Sequence, residues 1–248
     1  MKLNKLASAT ALAATLIGFG SSAHAIPVSL ELALLVDVSG SVNDAEYALQ
    51  KGGYVSAFND PLIQAAISGL TGGIAVTYIE WAGATQQSIE VGWTHITNAA
   101  SSSAFATAIN SATRNFFGST APGSALNFAV PLFTTNSFEG SRLVIDVSGD
   151  GVQNNGADTS DARDAALLAG INAINGLPIG GGATLLAFYV DNIQGGAAGF
   201  TIAAANFDDF ANAVKTKIGR EIKPVPEPVT LALLGLGLLG LGAIRRKA

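Results

Sequence analysis

The chain has 248 residues, of which 49% are hydrophobic and only 12% are charged, and it contains no cysteine. Disulfides, thiolate metal sites and cysteine nucleophiles are therefore excluded. Residues 26–223 hold 17 acidic and 8 basic side chains, a net charge of about −9. This balance argues against nucleic acid as a partner, because phosphates need Lys and Arg. His95 is the one histidine of this span, which argues against histidine-based catalysis and histidine-rich zinc sites.

The first 25 residues have the order of a secretory signal peptide. Lys2 and Lys5 precede an apolar stretch, and Ala23-His24-Ala25 supplies the small residues of a cleavage site. We therefore expect export of the chain and cleavage after Ala25. The alternative is a first hydrophobic helix of the domain. With cleavage, the mature chain begins near Ile26 and keeps one domain of ordinary size.

The middle of the chain alternates strand and helix patterns. The predicted strands cover residues 32–36, 74–81, 86–91, 143–147 and 185–190. The predicted helices cover residues 44–58, 61–67, 103–109, 125–133, 160–171 and 207–218. Asn43 or Asp44 can cap the first helix, and residues 101–103 can cap the third. The alternation predicts an α/β fold with a Rossmann-like, mostly parallel central sheet and helices on both faces.

Two of the predicted strands end at an aspartate. Asp37 closes the run 32–36, and Asp150 comes just after the run 143–147. In open α/β sheets, ligands bind outside the carboxyl ends of the strands, where strand order reverses. We therefore expect Asp37 and Asp150 to face each other across a crevice.

The stretch Asp37-x-Ser39-x-Ser41 resembles the Asp-x-Ser-x-Ser signature of von Willebrand factor type A domains. Thr120, in the loop 119–126, matches the second part of that family's metal-ion-dependent adhesion site, and Asp150 matches the third. The resemblance implies that Ser39, Ser41 and Thr120 contact a metal, with Asp37 and Asp150 acting directly or through waters. Such hard oxygen ligands suit Mg²⁺, Mn²⁺ or Ca²⁺. A carboxylate from a partner protein would complete the coordination.

Several readings of these residues stay open. An aspartate with serine neighbours also caps helices or binds loop N–H groups. Pro122 stiffens the threonine loop, and it either pre-sets or misplaces the Thr120 hydroxyl. Asp146 is an alternative to Asp150 as the third part, but it lies within the strand. We expect Asp146 to support the site through hydrogen bonds to the ligands.

Other residues favour simpler roles. Asn154, Asn155 and Asp158 resemble an oxygen-rich calcium loop, but their spacing fits no EF-hand, and a solvated loop is the preferred interpretation. The two tryptophans, Trp81 and Trp93, are expected to pack in the core or at a sheet edge. His95 lacks a nucleophile motif nearby, so we expect a surface or hydrogen-bonded histidine.

The last residues resemble the PEP-CTERM sorting signal of Gram-negative bacteria. Pro226-Glu227-Pro228 precedes an uncharged stretch, 229–244, and a basic tail, 245–247. Sixteen residues make a helix of about 24 Å, which is short for a hydrocarbon core of about 30 Å. The resemblance implies that an exosortase processes the C-terminus. It also implies a C-terminal inner-membrane anchor, which is transient or permanent.

These resemblances together imply an exported adhesion or interaction domain at the cell envelope, cell surface or extracellular matrix, with a role in biofilm assembly. Its domains would be a signal peptide (1–25), a von Willebrand factor type A-like domain (26–223) and a sorting signal with a short transmembrane helix (224–248). The expected partner is a protein offering a carboxylate or a matrix component, and no enzymatic activity is expected. The alternatives are an interaction module with a structural or degenerate site, and a metal-assisted hydrolase.

Overall fold

The computed structural model describes residues 25–223. The predicted signal peptide up to residue 24 and the predicted sorting signal and membrane helix from residue 224 lie outside the described residues. Across residues 25–223, no helix is both long enough and apolar enough to cross a membrane.

A five-stranded sheet with the order β4-β3-β2-β6-β7 forms the centre of the domain, and β1 and β5 form a separate parallel pair. The strands are β1 Ile26–Val28, β2 Leu30–Asp37, β3 Ile74–Trp81, β4 Gln87–Ile96, β5 Phe138–Gly140, β6 Leu143–Gly149 and β7 Ala173–Pro178. In the large sheet, β4 alone is antiparallel to its neighbour. The predicted α/β fold with a mostly parallel sheet is therefore confirmed.

Helices cover both faces of this sheet. They are α1 Asp44–Phe58, α2 Pro61–Ser68, α3 Ala99–Asn110, α4 Pro122–Ala129, α5 Leu132–Thr135, α6 Thr159–Leu168, α7 Gly182–Phe188 and α8 Phe210–Ile222, with a π-helix at Tyr189–Ile193. Strand β2 is buried along its whole length. Leu32 and Leu34 point into one core cluster, and Ala33 and Leu35 into the other. Alternate side chains of one strand thus hold the two helical layers together.

Each of the helices α1, α2 and α3 begins directly after a residue whose side chain caps it. Asn43 forms a capping box with Glu46 at the start of α1, and Asp60 caps α2 just before Pro61. The cap of α3 is Asn98, so the cap predicted within residues 101–103 is wrong. Ser101 instead takes the third helical position and completes a capping box with Asn98. The predicted helix 125–133 is divided in two, with Pro131 at the start of α5.

The predicted strand 185–190 is wrong, because these residues lie in α7 and the π-helix. The fifth strand of the sheet is β7, for which the residue pattern predicts no strand. Its sequence contains Asn175, Gly176 and Pro178, three residue types that are depleted in strands. Because glycine and proline stand so close together, the residue pattern does not indicate this short strand at the edge of the sheet.

The predicted packing roles of the aromatic residues are confirmed. Trp81 is fully buried, and Trp93 meets Phe133 edge to face with 5.1 Å between the ring centroids. His95 lies on β4, and its Nε2 atom forms a 2.7 Å hydrogen bond with the Gly72 carbonyl oxygen.

Candidate metal site

The five predicted site residues meet at the carboxyl edge of the sheet. Asp37 is the last residue of β2, and Asp150 directly follows β6. Because β2 and β6 are parallel neighbours, with Val36 opposite Ser148, their carboxyl ends lie side by side. The predicted crevice between Asp37 and Asp150 is therefore present, and the loop before α4 adds Thr120.

Oxygen atoms from three separate segments converge in this crevice. The Ser39 and Ser41 hydroxyls lie 3.2 Å apart, and the Thr120 hydroxyl donates to the Ser39 hydroxyl over 3.4 Å. The Ser41 hydroxyl donates to Asp150 Oδ1 over 2.7 Å. The Ser39 backbone N–H donates to Asp37 Oδ1 over 2.7 Å, which fixes the first carboxylate against the serine loop.

The oxygens hydrogen-bond to one another, and their separations are also compatible with the ligand spacing of a small hard cation. In an octahedral Mg²⁺ site with bonds of about 2.1 Å, adjacent ligand oxygens stand about 3 Å apart. The three oxygen–oxygen separations of the crevice, 2.7, 3.2 and 3.4 Å, bracket that value. Within residues 25–223, no cluster of three or more His, Cys, Asp or Glu side chains is placed to hold a metal. The oxygens that meet at this edge come from three hydroxyls and two carboxylates, and such hard oxygen ligands suit Mg²⁺, Mn²⁺ or Ca²⁺.

Burial dominates the electrostatics of the two carboxyl groups. Desolvation raises the pKa of Asp37 to about 7, against the lowering effect of its hydrogen bonds from Ser39, and repulsion from Asp150 adds a smaller upward contribution. Desolvation also raises the pKa of Asp150, while the hydrogen bond from Ser41 lowers it. A divalent cation between them would favour both ionised forms.

One oxygen of Asp37 has no hydrogen-bond partner among the described residues. Asp37 Oδ2 and the Tyr189 hydroxyl are both buried and unpartnered, and both lie against Gly149. Tyr189 begins the π-helix, a helix type that recurs at functional sites. Sequence reasoning missed Tyr189, because the residue lies within the incorrectly predicted strand 185–190.

Asn154 holds the threonine loop in place. Its side-chain oxygen accepts from the Thr120 N–H over 2.9 Å, and its own N–H donates to the Thr120 carbonyl oxygen over 3.0 Å. Asn154, Asn155 and Asp158 are exposed in a loop, so the solvated-loop interpretation is confirmed, and Asn154 in addition anchors the Thr120 backbone. Asn155 accepts from the Ala84 N–H, and Asp158 caps α6, so the three polar residues serve as loop anchors.

Arg114 joins the serine loop to the segment that leads to Thr120. One terminal nitrogen of its guanidinium donates to the carbonyl oxygens of Val38 and Ser39 over 3.0 and 2.9 Å. Its Nε donates to the Phe116 carbonyl oxygen, and the group stacks 3.9 Å from the Phe117 ring centroid. No motif around Arg114 points to this role.

Two open alternatives are now resolved. Pro122 is the first residue of α4, a favourable helix position for proline, and the Thr120 hydroxyl stays within reach of Ser39. Asp146 points away from the crevice and pairs with the buried Lys217. The prediction that Asp146 supports the site through hydrogen bonds to the ligands is therefore wrong.

Solved structures share this fold at low sequence identity. The proximal thread matrix protein 1 of the mussel byssus, with a zinc-occupied MIDAS motif, has a TM-score of 0.56 and 19% identity, over 77% of this chain and 45% of that one. The pilus adhesin SpaC from Lactobacillus rhamnosus GG has a TM-score of 0.56 and 14% identity, over 78% and 30%. The PilB minor pilin from Streptococcus sanguinis has a TM-score of 0.54 and 13% identity, over 81% and 64%. The chain thus spans less than two thirds of these proteins.

Family models cover nearly the whole chain. No curated protein matches it. The PEP-CTERM protein-sorting motif matches residues 224–247, which confirms the resemblance of the C-terminus to that signal. The model described as "Protein of unknown function (DUF1194)" matches residues 27–226. The chain therefore belongs to the DUF1194 family, with a von Willebrand factor type A-like fold and a C-terminal PEP-CTERM motif.

Proposed function

We propose that the chain is an exported adhesion or protein-interaction domain whose carboxyl-edge site binds Mg²⁺, Mn²⁺ or Ca²⁺. The observation that carries this proposal is the convergence of three hydroxyls with two aspartates at neighbouring strand ends. Ser39, Ser41 and Thr120 would contact the cation. Asp37 and Asp150 would bind it directly or through water.

The site is built to leave the cation accessible from outside. Asp37, Ser39 and Thr120 are buried, whereas Ser41 is exposed and Asp150 is partly exposed. Three of the five side chains are neutral, so the bound cation would keep much of its charge and attract an anionic oxygen. A carboxylate of a protein partner or of a matrix component fits that open side.

Proteins of the same fold and the C-terminal motif support the proposal of an exported adhesion domain. A mussel byssus protein of the same fold has a zinc-occupied MIDAS motif, and another protein of the fold is a pilus adhesin. The sorting motif supports export, processing by an exosortase and delivery to the envelope, surface or matrix of a Gram-negative cell, with a membrane anchor before processing. A place in biofilm assembly is the finer part of this proposal.

A non-enzymatic role remains part of the proposal. The one histidine of residues 25–223 lies on β4, bonded to the Gly72 carbonyl oxygen. A metal-assisted hydrolase would need a base that can move a proton at the site. Turnover of phosphoesters or peptides, lost in Asp150→Ala, would favour that alternative.

Calorimetry with residues 26–223 tests the proposal. The wild-type domain should bind Mg²⁺ or Mn²⁺ saturably, and Asp37→Asn and Asp150→Asn should weaken binding at least tenfold. Asp208→Asn, an exposed aspartate before α8, serves as the matched control. A cation at about 100 times its Kd should also stabilise the wild type by about 2.7 kcal/mol. A folded wild-type domain that binds no divalent cation would favour the degenerate-site alternative.

A further inference from the structure

A second cleft lies at the opposite edge of the sheet, where β6 and β7 begin. Its volume is about 520 Å³. Val144 and Ala173, near the amino ends of these two strands, line it. Its lining also includes Arg142, Arg220 and Lys223. Because the metal site lies at the carboxyl ends of β2 and β6, the two sites are separated by the length of the strands.

The cleft is lined by Lys and Arg side chains that form no ion pair within the described residues. Residues 25–223 contain eight Lys and Arg side chains, and four of them form ion pairs with Asp or Glu. Among these residues, Lys51, Arg142, Arg220 and Lys223 have no carboxylate within 4.0 Å. Three of these four line the cleft. Such a concentration is unexpected in a domain with a net charge of about −9.

Both guanidinium groups are held in place by the protein. Arg220 stacks on Phe200, 3.8 Å from the ring centroid, and Arg142 donates to the Glu221 carbonyl oxygen over 2.8 Å. An arginine offers five N–H donors in a fixed fork that matches phosphate. Most of these donors therefore stay available, and little side-chain entropy is lost when an anion binds.

The acidic side chain of the cleft, Glu221, is engaged through one of its two carboxylate oxygens, and its Oε2 is buried without a hydrogen-bond partner among the described residues. Glu221 Oε1 accepts from Lys217 over 2.9 Å and from Asn175 over 2.8 Å. The negative end of the α8 dipole accounts for a cation in its last turn, such as Arg220. It does not account for Arg142, which comes from the chain just before β6 and faces the same cleft.

The cleft also lies where the chain leaves the domain. Lys223 is the last described residue, and the sorting motif begins at residue 224. The apolar stretch begins at Val229, six residues after Lys223. Six residues span at most about 20 Å. If that stretch enters the membrane, the cleft must stay within this distance of the headgroups.

We propose that this cleft binds the phosphate groups of anionic lipid headgroups in the membrane that the C-terminal segment enters. Arg142 and Arg220 would bind the phosphate through the paired N–H donors of their guanidinium groups, and Lys223 would add a positive charge to the cleft. This activity is independent of the metal site at the other edge.

Hydrogen–deuterium exchange of the full chain tests the proposal. The chain would be held in uncharged detergent micelles that contain either phosphatidylglycerol or phosphatidylcholine. Phosphatidylglycerol should slow exchange several-fold in residues 141–145, 196–200 and 219–223. Arg142→Gln combined with Arg220→Gln should abolish that protection. Lys51→Gln combined with Lys215→Gln removes the same charge elsewhere and should keep it.

The remaining outcomes would overturn the proposal. Equal exchange with the two lipids would exclude headgroup binding, and equal loss in both double variants would indicate diffuse charge attraction. Glycerol phosphate added to phosphatidylcholine micelles tests the source of the phosphate. Protection as strong as that from the lipid would point to a soluble anion and overturn the membrane assignment. Unchanged exchange across β2 in every variant verifies the fold.

Discussion

Gly149 lies closer to Asp37 than a residue with a side chain could. A Cβ atom on Gly149 would stand 2.5 Å from Asp37 Oδ2 and 2.9 Å from the Tyr189 hydroxyl. Both neighbours are fully buried, so neither can move into solvent. Glycine is required here because a side chain has no room. The absence of a side chain at Gly149 allows β6 to lie close to the Asp37 carboxylate.

Gly149→Ala should therefore damage the site more than the fold. We expect at least a tenfold loss of Mg²⁺ or Mn²⁺ affinity by calorimetry, and a loss of about 1–3 kcal/mol in urea unfolding from overpacking. Gly92→Ala is the matched control, because it lies in β4 with no atom within 4 Å of its added Cβ. Wild-type cation affinity in Gly149→Ala would contradict this account of the site.

The site residues differ in how far sequence reveals them. Asp37, Ser39 and Ser41 form a local motif, and Thr120 and Asp150 follow from loops of matching form. Arg114 and Tyr189 act through contacts with distant segments. Arg114 reaches the Ser39 carbonyl oxygen across 75 positions of the chain. Any carbonyl can accept such a bond, so no residue pattern marks its partner, and only the folded chain shows it.

At the scale of elements, helices α1 and α8 meet at Gly53, the second of two adjacent glycines in α1. Gly53 is buried, and a Cβ there would stand 2.6 Å from the Phe210 ring and 3.3 Å from the Ala211 backbone. Gly52 is exposed, with no atom within 4 Å of an added Cβ. The absence of a side chain at Gly53 thus allows α8 to approach α1 closely.

The two glycines should respond in opposite ways to alanine. Gly52→Ala should raise the free energy of unfolding by about 0.5–1 kcal/mol, the usual gain in a helix interior. Gly53→Ala should lower it by about 1–3 kcal/mol, because the methyl group displaces Phe210. Denaturant unfolding of the two variants measures both changes. Equal gains would mean that α8 can retreat from α1 without cost.

Elements were predictable where residue type and environment agree. The run 32–36 is apolar and buried on both faces, and Pro61 starts α2 after its cap at Asp60. β7 escaped prediction because Asn175 within it serves a tertiary contact, donating to Glu221 and accepting from the Phe200 N–H. Conversely, residues 185–190 are apolar like a strand but fold as helix packed on the sheet.

At the scale of the whole molecule, a buried carboxyl links stability to pH. Glu80, on β3, accepts a 2.7 Å hydrogen bond from the Tyr47 hydroxyl, and burial raises its pKa from 4.5 to about 7. The folded state therefore favours the protonated form. The resulting stability is fully present below pH 4.5 and is lost as pH rises to about 7.

Glu80→Gln should remove this contribution to the pH dependence. Glutamine keeps an acceptor for Tyr47, so wild type and variant should differ little at pH 5, and the variant should be more stable at pH 8 by at most about 3 kcal/mol. Asp37 and Asp146, whose pKa values are also raised by burial, remain in both proteins. Thermal unfolding at several pH values tests this, with the exposed Glu139→Gln as control. A difference that is constant with pH would refute it.

The placement of the metal edge and the chain exit at opposite ends of the strands also has a mechanical consequence. A partner held near Asp37 and Asp150 and a tether at Lys223 would pull along the strand direction. β6 alone, with seven residues, extends about 23 Å in that direction. Because the tether follows α8 while the site lies on β2 and β6, tension would then load the packing of α8 against the sheet in shear, all contacts together, rather than peel them apart one by one.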